Sequence, residues 1–115
     1  MSITLYHNPR CSKSRAALNL LQQRGIVPKV RLYLDDPPTV AEIKQLLELL
    51  KIDARSLIRT SEVEYQHAKL ANPDLQENEL VDAMATMPKL IERPIAICAH
   101  RAVIGRPPEA VLGLL

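Results

Sequence analysis

The chain has 115 residues, enough for one domain with its own hydrophobic core. Hydrophobic residues make up 47% and charged residues 24%, ordinary values for a globular domain that argue against disorder. A net charge of +2 and 3% aromatic residues exclude a strongly basic or base-stacking surface, so we expect neither a nucleic-acid nor a membrane partner. No apolar run approaches the roughly 18 residues of a transmembrane helix and the start has no signal-peptide pattern, so we expect a cytoplasmic protein.

The first half of the chain alternates strand and helix signals. Residues 3–6 (ITLY) are β-prone and end at an Asn-Pro turn. Apolar spacing predicts a helix over residues 12–24, and period-two alternation predicts a strand over residues 29–34. After the break at residues 35–38 (DDPP), Thr39 and Glu42 have the spacing of a capping box, which opens a second helix.

The second half begins with a polar stretch over residues 53–92 that carries no strand signal. It contains a helix pattern over residues 76–87, so we interpret it as a helical insert. An apolar strand over residues 94–98 and an antiparallel partner over residues 101–104 follow. A last helix then completes the chain, with Leu112 and Leu115 expected in the core. The order β-α-β-α, helical insert, β-β-α predicts a single α/β domain over residues 1–115 with a mixed four-stranded sheet.

Cys11 lies where the first predicted strand ends and the first helix begins. The unpaired amides of a first helical turn and the helix dipole favour a thiolate and lower the pKa of a thiol there. Ser14 follows three residues later, so its hydroxyl can donate to the sulfur. Four nearby side chains add positive charge: His7, Arg10, Lys13 and Arg15. These features favour an activated nucleophile beside an anion-binding loop. The alternative is a small buried cysteine with solvated basic neighbours.

The second cysteine does not form a redox motif with the first. Residues 11–14 read C-x-x-S rather than C-x-x-C, which excludes a local dithiol couple. Cys98 lies inside an apolar strand pattern and is interpreted as a packed side chain. Any thiol that resolves an intermediate on Cys11 must therefore come from elsewhere.

Three arginines lie at the ends of predicted elements, where side chains can converge: Arg59, Arg93 and Arg106. Arginine binds oxyanions through paired hydrogen bonds. Taken singly, each is better explained by a surface ion pair or a carbonyl cap, and His7 could equally fix the Asn-Pro turn. No Cys or His pair has the short spacing of a zinc motif, so we expect no metal.

Residues 6–15 (YHNPRCSKSR) resemble the glutaredoxin-linked arsenate reductases of the ArsC family. The resemblance continues through residues 33–39 (YLDDPPT), 57–59 (LIR), 92–95 (ERPI) and 105–109 (GRPPE), nearly the whole chain. It is strongest to the short, YfgD-like members, which lack the longer C-terminal tail of plasmid-encoded arsenate reductases. Lys13 departs from the small residues often found after the cysteine.

The resemblance implies a thioredoxin-like fold and a cis bond between Arg93 and Pro94. It also implies that Cys11 attacks arsenate and that His7 and Ser14 support the thiolate. The implied oxyanion ligands are Arg59, Arg93 and Arg106, and we add Arg15 as a further candidate. Glutathione, a co-substrate, would then take the arsenic from the cysteine and glutaredoxin would complete reduction to arsenite, with no tightly bound cofactor.

Two other functions stay open at this point. A glutathione-dependent monothiol oxidoreductase of another substrate would also use C-x-x-S, because a mixed disulfide with glutathione would be its resting intermediate. Spx-like regulators of RNA polymerase share the fold family. They usually carry C-x-x-C and lack this arginine set, so the sequence disfavours them.

Overall fold

The computed structural model of the protein describes residues 2–115, which form a mixed four-stranded sheet with helices. The strands are β1 (Thr4–Tyr6), β2 (Lys29–Arg31), β3 (Ile95–Cys98) and β4 (Arg101–Ile104), in the sheet order β2-β1-β3-β4. β1 pairs in parallel with β2 and antiparallel with β3, and β4 is antiparallel to β3. The predicted mixed sheet and the predicted hairpin of its last two strands are confirmed.

The chain divides into two compact units, and the sheet belongs to the first. This unit contains the residues up to Asp36 together with Arg93–Leu115. Helix α1 (Ser12–Gln23) and a C-terminal 3₁₀ helix (Pro108–Leu114) pack with β1 and β3 around one apolar cluster. Its buried members are Ile3, Leu5, Ala17, Leu21, Ala96, Val111 and Leu114.

The second unit, Pro37–Glu92, is built from helices. They are α2 (Val40–Leu50), α3 (Ala54–Leu57), α4 (Val63–His67), α5 (Glu77–Thr86) and a 3₁₀ helix at Pro88–Leu90. The predicted capping box opens α2, because the Thr39 hydroxyl accepts from the Glu42 amide and the Glu42 carboxylate accepts from the Thr39 amide. The helices α3, α4 and α5 lie within residues 53–92, with one isolated β-bridge between Ile58 and Ile91, while the compact unit also includes α2. None of the helices in residues 2–115 is long and apolar enough to cross a membrane.

The second strand is shorter than the alternating pattern predicts, since β2 ends at Arg31 rather than at residue 34. The amides of Asp35 and Asp36 both donate to the Leu32 carbonyl, at 3.0 and 2.9 Å. These bonds turn the chain out of the sheet immediately after β2. The alternating sequence pattern over residues 32–34 therefore belongs to a turn and not to the strand.

The last helix is a 3₁₀ helix, and its buried residues differ from the predicted ones. With three residues per turn, positions three apart lie on one face. Val111 and Leu114 therefore enter the core, while Leu115 is 43% exposed and Leu112 is only half-buried. The prediction that Leu112 and Leu115 face the core is therefore wrong: these two leucines are also three residues apart, but the helix turns the face with Val111 and Leu114 toward the apolar cluster.

Candidate active site

The strand register brings the predicted residues of the first unit to one end of its sheet. Tyr6 at the end of β1 pairs with Ile95 at the start of β3. Ile95 also pairs with Ile104 at the end of β4. The segments that adjoin these three positions therefore lie at the same end of the sheet, and they carry Cys11, Arg93 and Arg106.

The loop before Cys11 is held in shape by Asn8, a residue that the sequence suggested only as part of a turn. Asn8 is buried, and its carbonyl accepts from the Cys11 amide at 3.0 Å. Its side-chain Oδ1 accepts from the Arg10 amide at 3.0 Å, and its own amide donates to Ser14 Oγ at 3.0 Å. The Asn-Pro pair after a strand was the available signal, but it does not reveal how many bonds the asparagine makes.

Cys11 is the N-cap residue of α1, with extended backbone angles (φ −98°, ψ 122°) and a half-buried side chain. Its thiol forms no side-chain hydrogen bond of regular capping geometry. Desolvation raises the pKa of the thiol, but the amides of Ser14 and Lys13 and the Arg93 guanidinium outweigh it, so the pKa lies below its ordinary value. Hydrogen-bond donors and a positive charge beside a thiol stabilise its ionised form, so these groups favour the thiolate.

His7 and Ser14 form a buried pair beside this loop. His7 Nδ1 lies 2.6 Å from Ser14 Oγ, which also accepts from the Asn8 amide. Burial, and after it the charge of Arg15, lower the pKa of His7. The lowered pKa favours the neutral form of His7, so burial and Arg15 reduce the positive charge that His7 brings to Cys11. The Ser14 hydroxyl is engaged with His7 and Asn8, and Ser14 lowers the pKa of Cys11 through its backbone amide.

Arg93 and Arg106 are linked through the backbone at this end of the sheet. The Arg106 Nε donates to the Arg93 carbonyl at 2.9 Å, and the Arg93–Pro94 peptide bond is cis, as the resemblance implied. Gly105 lies against Pro94: a Cβ there would come within 2.7 Å of the Pro94 Cγ. The Gly105 amide donates to the Pro94 carbonyl at 2.8 Å. The arginines thus sit on segments that pack closely.

Arg15 braces the loop rather than extending away from it. Its Nη1 donates to the Pro9 carbonyl at 2.8 Å. This bond fixes the guanidinium beside the segment that precedes Cys11, while the positive charge contributes to the lowered pKa of His7.

Arg59 lies in the second unit, where it is already paired with two carboxylates. Its Nε is 3.1 Å from Glu62 Oε1, and its Nη1 is 2.6 Å from Glu92 Oε1. Its amide donates to the Leu90 carbonyl at 2.7 Å. The geometry therefore describes Arg59 as a half-buried ion-paired residue, and its assignment to an oxyanion site stays a prediction.

Cys98 lies at the opposite end of the sheet from Cys11. β3 runs antiparallel to β1, so Cys98, at the end of β3, is three residues from the Ile95 position near Cys11, roughly 10 Å along the strand. Both cysteines are free, and Cys98 packs against the apolar cluster of the first unit, which confirms its predicted packing role. A disulfide requires Cα atoms within about 7 Å, so Cys98 is not placed to resolve an intermediate on Cys11. Within residues 2–115, no group of three His, Cys, Asp or Glu side chains is arranged to hold a metal ion.

Comparisons with known proteins match nearly the whole chain. The profile of the ArsC family matches residues 6–114. An arsenate reductase of Haemophilus influenzae is 46% identical over 116 residues, covering all of both chains, and YfgD of Escherichia coli K12 is 47% identical over 98% of this chain and 96% of its own. A solved structure, the arsenate reductase from Vibrio cholerae, matches with a TM-score of 0.98 and 46% identity over 100% of this chain and 98% of its own. These neighbours confirm the thioredoxin-like fold, and the chain belongs to the ArsC family.

Proposed function

We propose that the protein is an arsenate reductase whose Cys11 thiolate attacks arsenate. The observation that carries the proposal is a cysteine of lowered pKa at the start of α1, with the Arg93 guanidinium beside it. Helix-start amides and a guanidinium favour an oxyanion for the same reasons that they favour a thiolate. Relatives named arsenate reductase, 44–46% identical over almost the whole chain, support arsenate as that oxyanion.

In the proposed first step, Cys11 Sγ forms a bond to arsenic and an arsenic–oxygen bond breaks, the oxygen leaving as water after proton uptake. Arg93 neutralises the charge that the anion brings to the thiolate. Arg106 is held at the same end of the sheet by its bond to the Arg93 carbonyl and supplies a second guanidinium. Arg59 is proposed as a third guanidinium that binds the oxyanion, and only the resemblance to the ArsC family supports this role.

The electrons then come from outside the chain. Arsenate and two thiols give arsenite, one disulfide and water, so two sulfurs must each supply one electron. The distant position of Cys98 supports external thiols. We propose that glutathione takes the arsenic from Cys11 and that glutaredoxin completes the reduction.

Arsenite formation by the purified chain, with glutathione, glutaredoxin and a recycling system for oxidised glutathione, tests this function. We expect arsenate-dependent turnover that falls to background when either glutathione or glutaredoxin is left out. Turnover that persists when either glutathione or glutaredoxin is left out would contradict the proposed reductants. No turnover by a folded chain with all components would contradict arsenate as the substrate.

A second function is favoured by one observation, a Cys11 thiol of lowered pKa with Cys98 at the opposite end of the sheet. A monothiol oxidoreductase would form a mixed disulfide between Cys11 and glutathione and reduce glutathionylated proteins. Release of glutathione from a glutathionylated protein, together with absence of arsenite formation, would select this alternative.

A further inference from the structure

A cavity of about 260 Å³ lies in the first unit beside the loop that precedes Cys11. Residues 7–10 form one wall, and Leu32, Leu34 and Asp35 form the other. The first wall follows β1 and the second follows β2, and these strands are parallel. The cavity therefore lies beyond the carboxyl ends of two parallel strands. We call it the β2-side cavity.

Two opposite charges line the β2-side cavity, one on each wall. Arg10 and Asp35 are both exposed. Neither side chain forms a hydrogen bond or an ion pair with another side chain in residues 2–115. A purely anionic ligand would meet the Asp35 carboxylate, whereas a zwitterion would match both charges. Leu32, Leu34 and Pro9 add apolar surface between them.

The size of the cavity favours a small molecule over a protein surface. Pockets for drug-sized ligands begin at roughly 300 Å³. A cavity of about 260 Å³ is therefore large enough for a short peptide or for part of one. A protein partner needs a much broader interface, about 800 Å² on each side. The bonds that Asn8 makes to Arg10 and Cys11 hold the first wall in place, so the cavity does not have to form on binding.

Cys11 lies within reach of a ligand in this cavity. The hydrogen bond from the Cys11 amide to the Asn8 carbonyl closes a turn, which places their Cα atoms within about 7 Å. An extended tripeptide spans about 10 Å. Cys11 does not line the cavity but directly follows Arg10, the last residue of the first wall, so a ligand of that length bound there lies next to the residue that carries the sulfur.

We propose that the β2-side cavity binds the reducing co-substrate, a small zwitterionic peptide thiol of the glutathione type. One carboxylate lies against Arg10, the ammonium group lies against Asp35, and the thiol points toward Cys11. This inference rests on the proposed function for its choice of a thiol ligand, but binding can be measured without arsenate.

Titration of S-methylglutathione into the ¹⁵N-labelled full chain tests the proposal, because the blocked sulfur cannot react with Cys11. We expect saturable amide shift changes that concentrate at Arg10, Leu32, Leu34 and Asp35. Arg10→Gln and Asp35→Asn should each weaken binding about two- to fivefold, the effect of an exposed ion pair. Arg24→Gln and Asp74→Asn make the same charge changes at exposed positions outside the cavity and should leave binding unchanged.

Three results would overturn the inference: no saturable shift at millimolar concentrations, saturable shifts confined to another part of the chain, or equal weakening by the cavity and control variants. The arsenate assay separates this failure from that of the proposed function. Arsenite formation without S-methylglutathione binding would overturn only the cavity assignment. Binding at the cavity without arsenite formation would overturn only arsenate as the substrate.

Discussion

At the scale of single residues, Arg93 is the side chain that lowers the pKa of Cys11 and can be removed by substitution. The two amides that act with it belong to the backbone of α1. We expect Arg93→Gln to raise the pKa of Cys11, because a positive charge beside the thiolate is lost. The rate of iodoacetamide alkylation at Cys11 against pH, followed by mass spectrometry, measures this change.

Arg24→Gln is the matched control for that experiment, because Arg24 is exposed and lies after the end of α1. Its alkylation profile should coincide with the wild-type profile. An Arg93→Gln profile that also coincides with wild type would show that the amides alone set the pKa of Cys11.

The lowered pKa of His7 predicts a pH dependence of stability. Below the ordinary histidine pKa of about 6.5, unfolded His7 takes up a proton that folded His7 resists. The unfolded state then binds more protons, so stability falls as pH falls from about 6.5 through the lowered pKa of folded His7. We expect His7→Gln to lose less free energy of unfolding than wild type between about pH 7.5 and pH 5.5, measured by urea denaturation.

His67→Gln is the control, since His67 is exposed and should leave the wild-type pH dependence intact. If His7→Gln and His67→Gln lose the same free energy of unfolding on acidification, His7 does not resist protonation in the folded state.

The sequence predicts the position of Cys11, but it does not predict the protonation of His7 or the hydrogen bonds of Asn8. The position of Cys11 follows from local signals, a strand, an Asn-Pro turn and a helix start. The neutral form of His7 depends on burial and on Arg15, and the bonds of Asn8 depend on the loop closing. Both properties result from tertiary packing, which cannot be predicted from the residues next to His7 and Asn8 in the sequence.

At the scale of elements, close packing around Gly105 holds β3, β4 and the C-terminal 3₁₀ helix together. A Cβ at residue 105 would meet Pro94 Cγ at 2.7 Å and Val111 Cγ1 at 3.1 Å. We expect Gly105→Ala to lower the free energy of unfolding by about 1–3 kcal/mol, the usual cost of overpacking. Urea denaturation measures it, with Gly113→Ala as control because a Cβ there has no neighbour within 4 Å. Equal stabilities of the two variants would contradict this packing.

The elements themselves were largely predictable because their signals are local. The capping box at Thr39 fixed the start of α2, and α1 ends one residue before its predicted limit. The sequence predictions were wrong at the end of β2 and in the last helix, where the pattern of apolar residues did not determine the structure. The turn at Leu32 shortened β2, and tertiary packing placed the face with Val111 and Leu114, rather than the one with Leu112 and Leu115, against the core.

At the scale of the whole molecule, the two units carry different parts of the predicted site. The first contains the cysteine and two arginines, gathered by strand register rather than by sequence proximity. The second contains Arg59 and its two carboxylate partners. Periodicity alone could predict the strands but not their order in the sheet. It therefore could not predict that Cys11, Arg93 and Arg106 lie at the same end of the sheet.

The most direct test of the central claim compares arsenite formation by Cys11→Ser and Cys98→Ser, with glutathione and glutaredoxin present. Cys11→Ser should reduce turnover to background while circular dichroism shows an intact fold, because serine is not ionised at neutral pH. Cys98→Ser should retain most of the wild-type rate, since Cys98 lies at the far end of the sheet. Arsenite formation by Cys11→Ser at the wild-type rate would contradict the account.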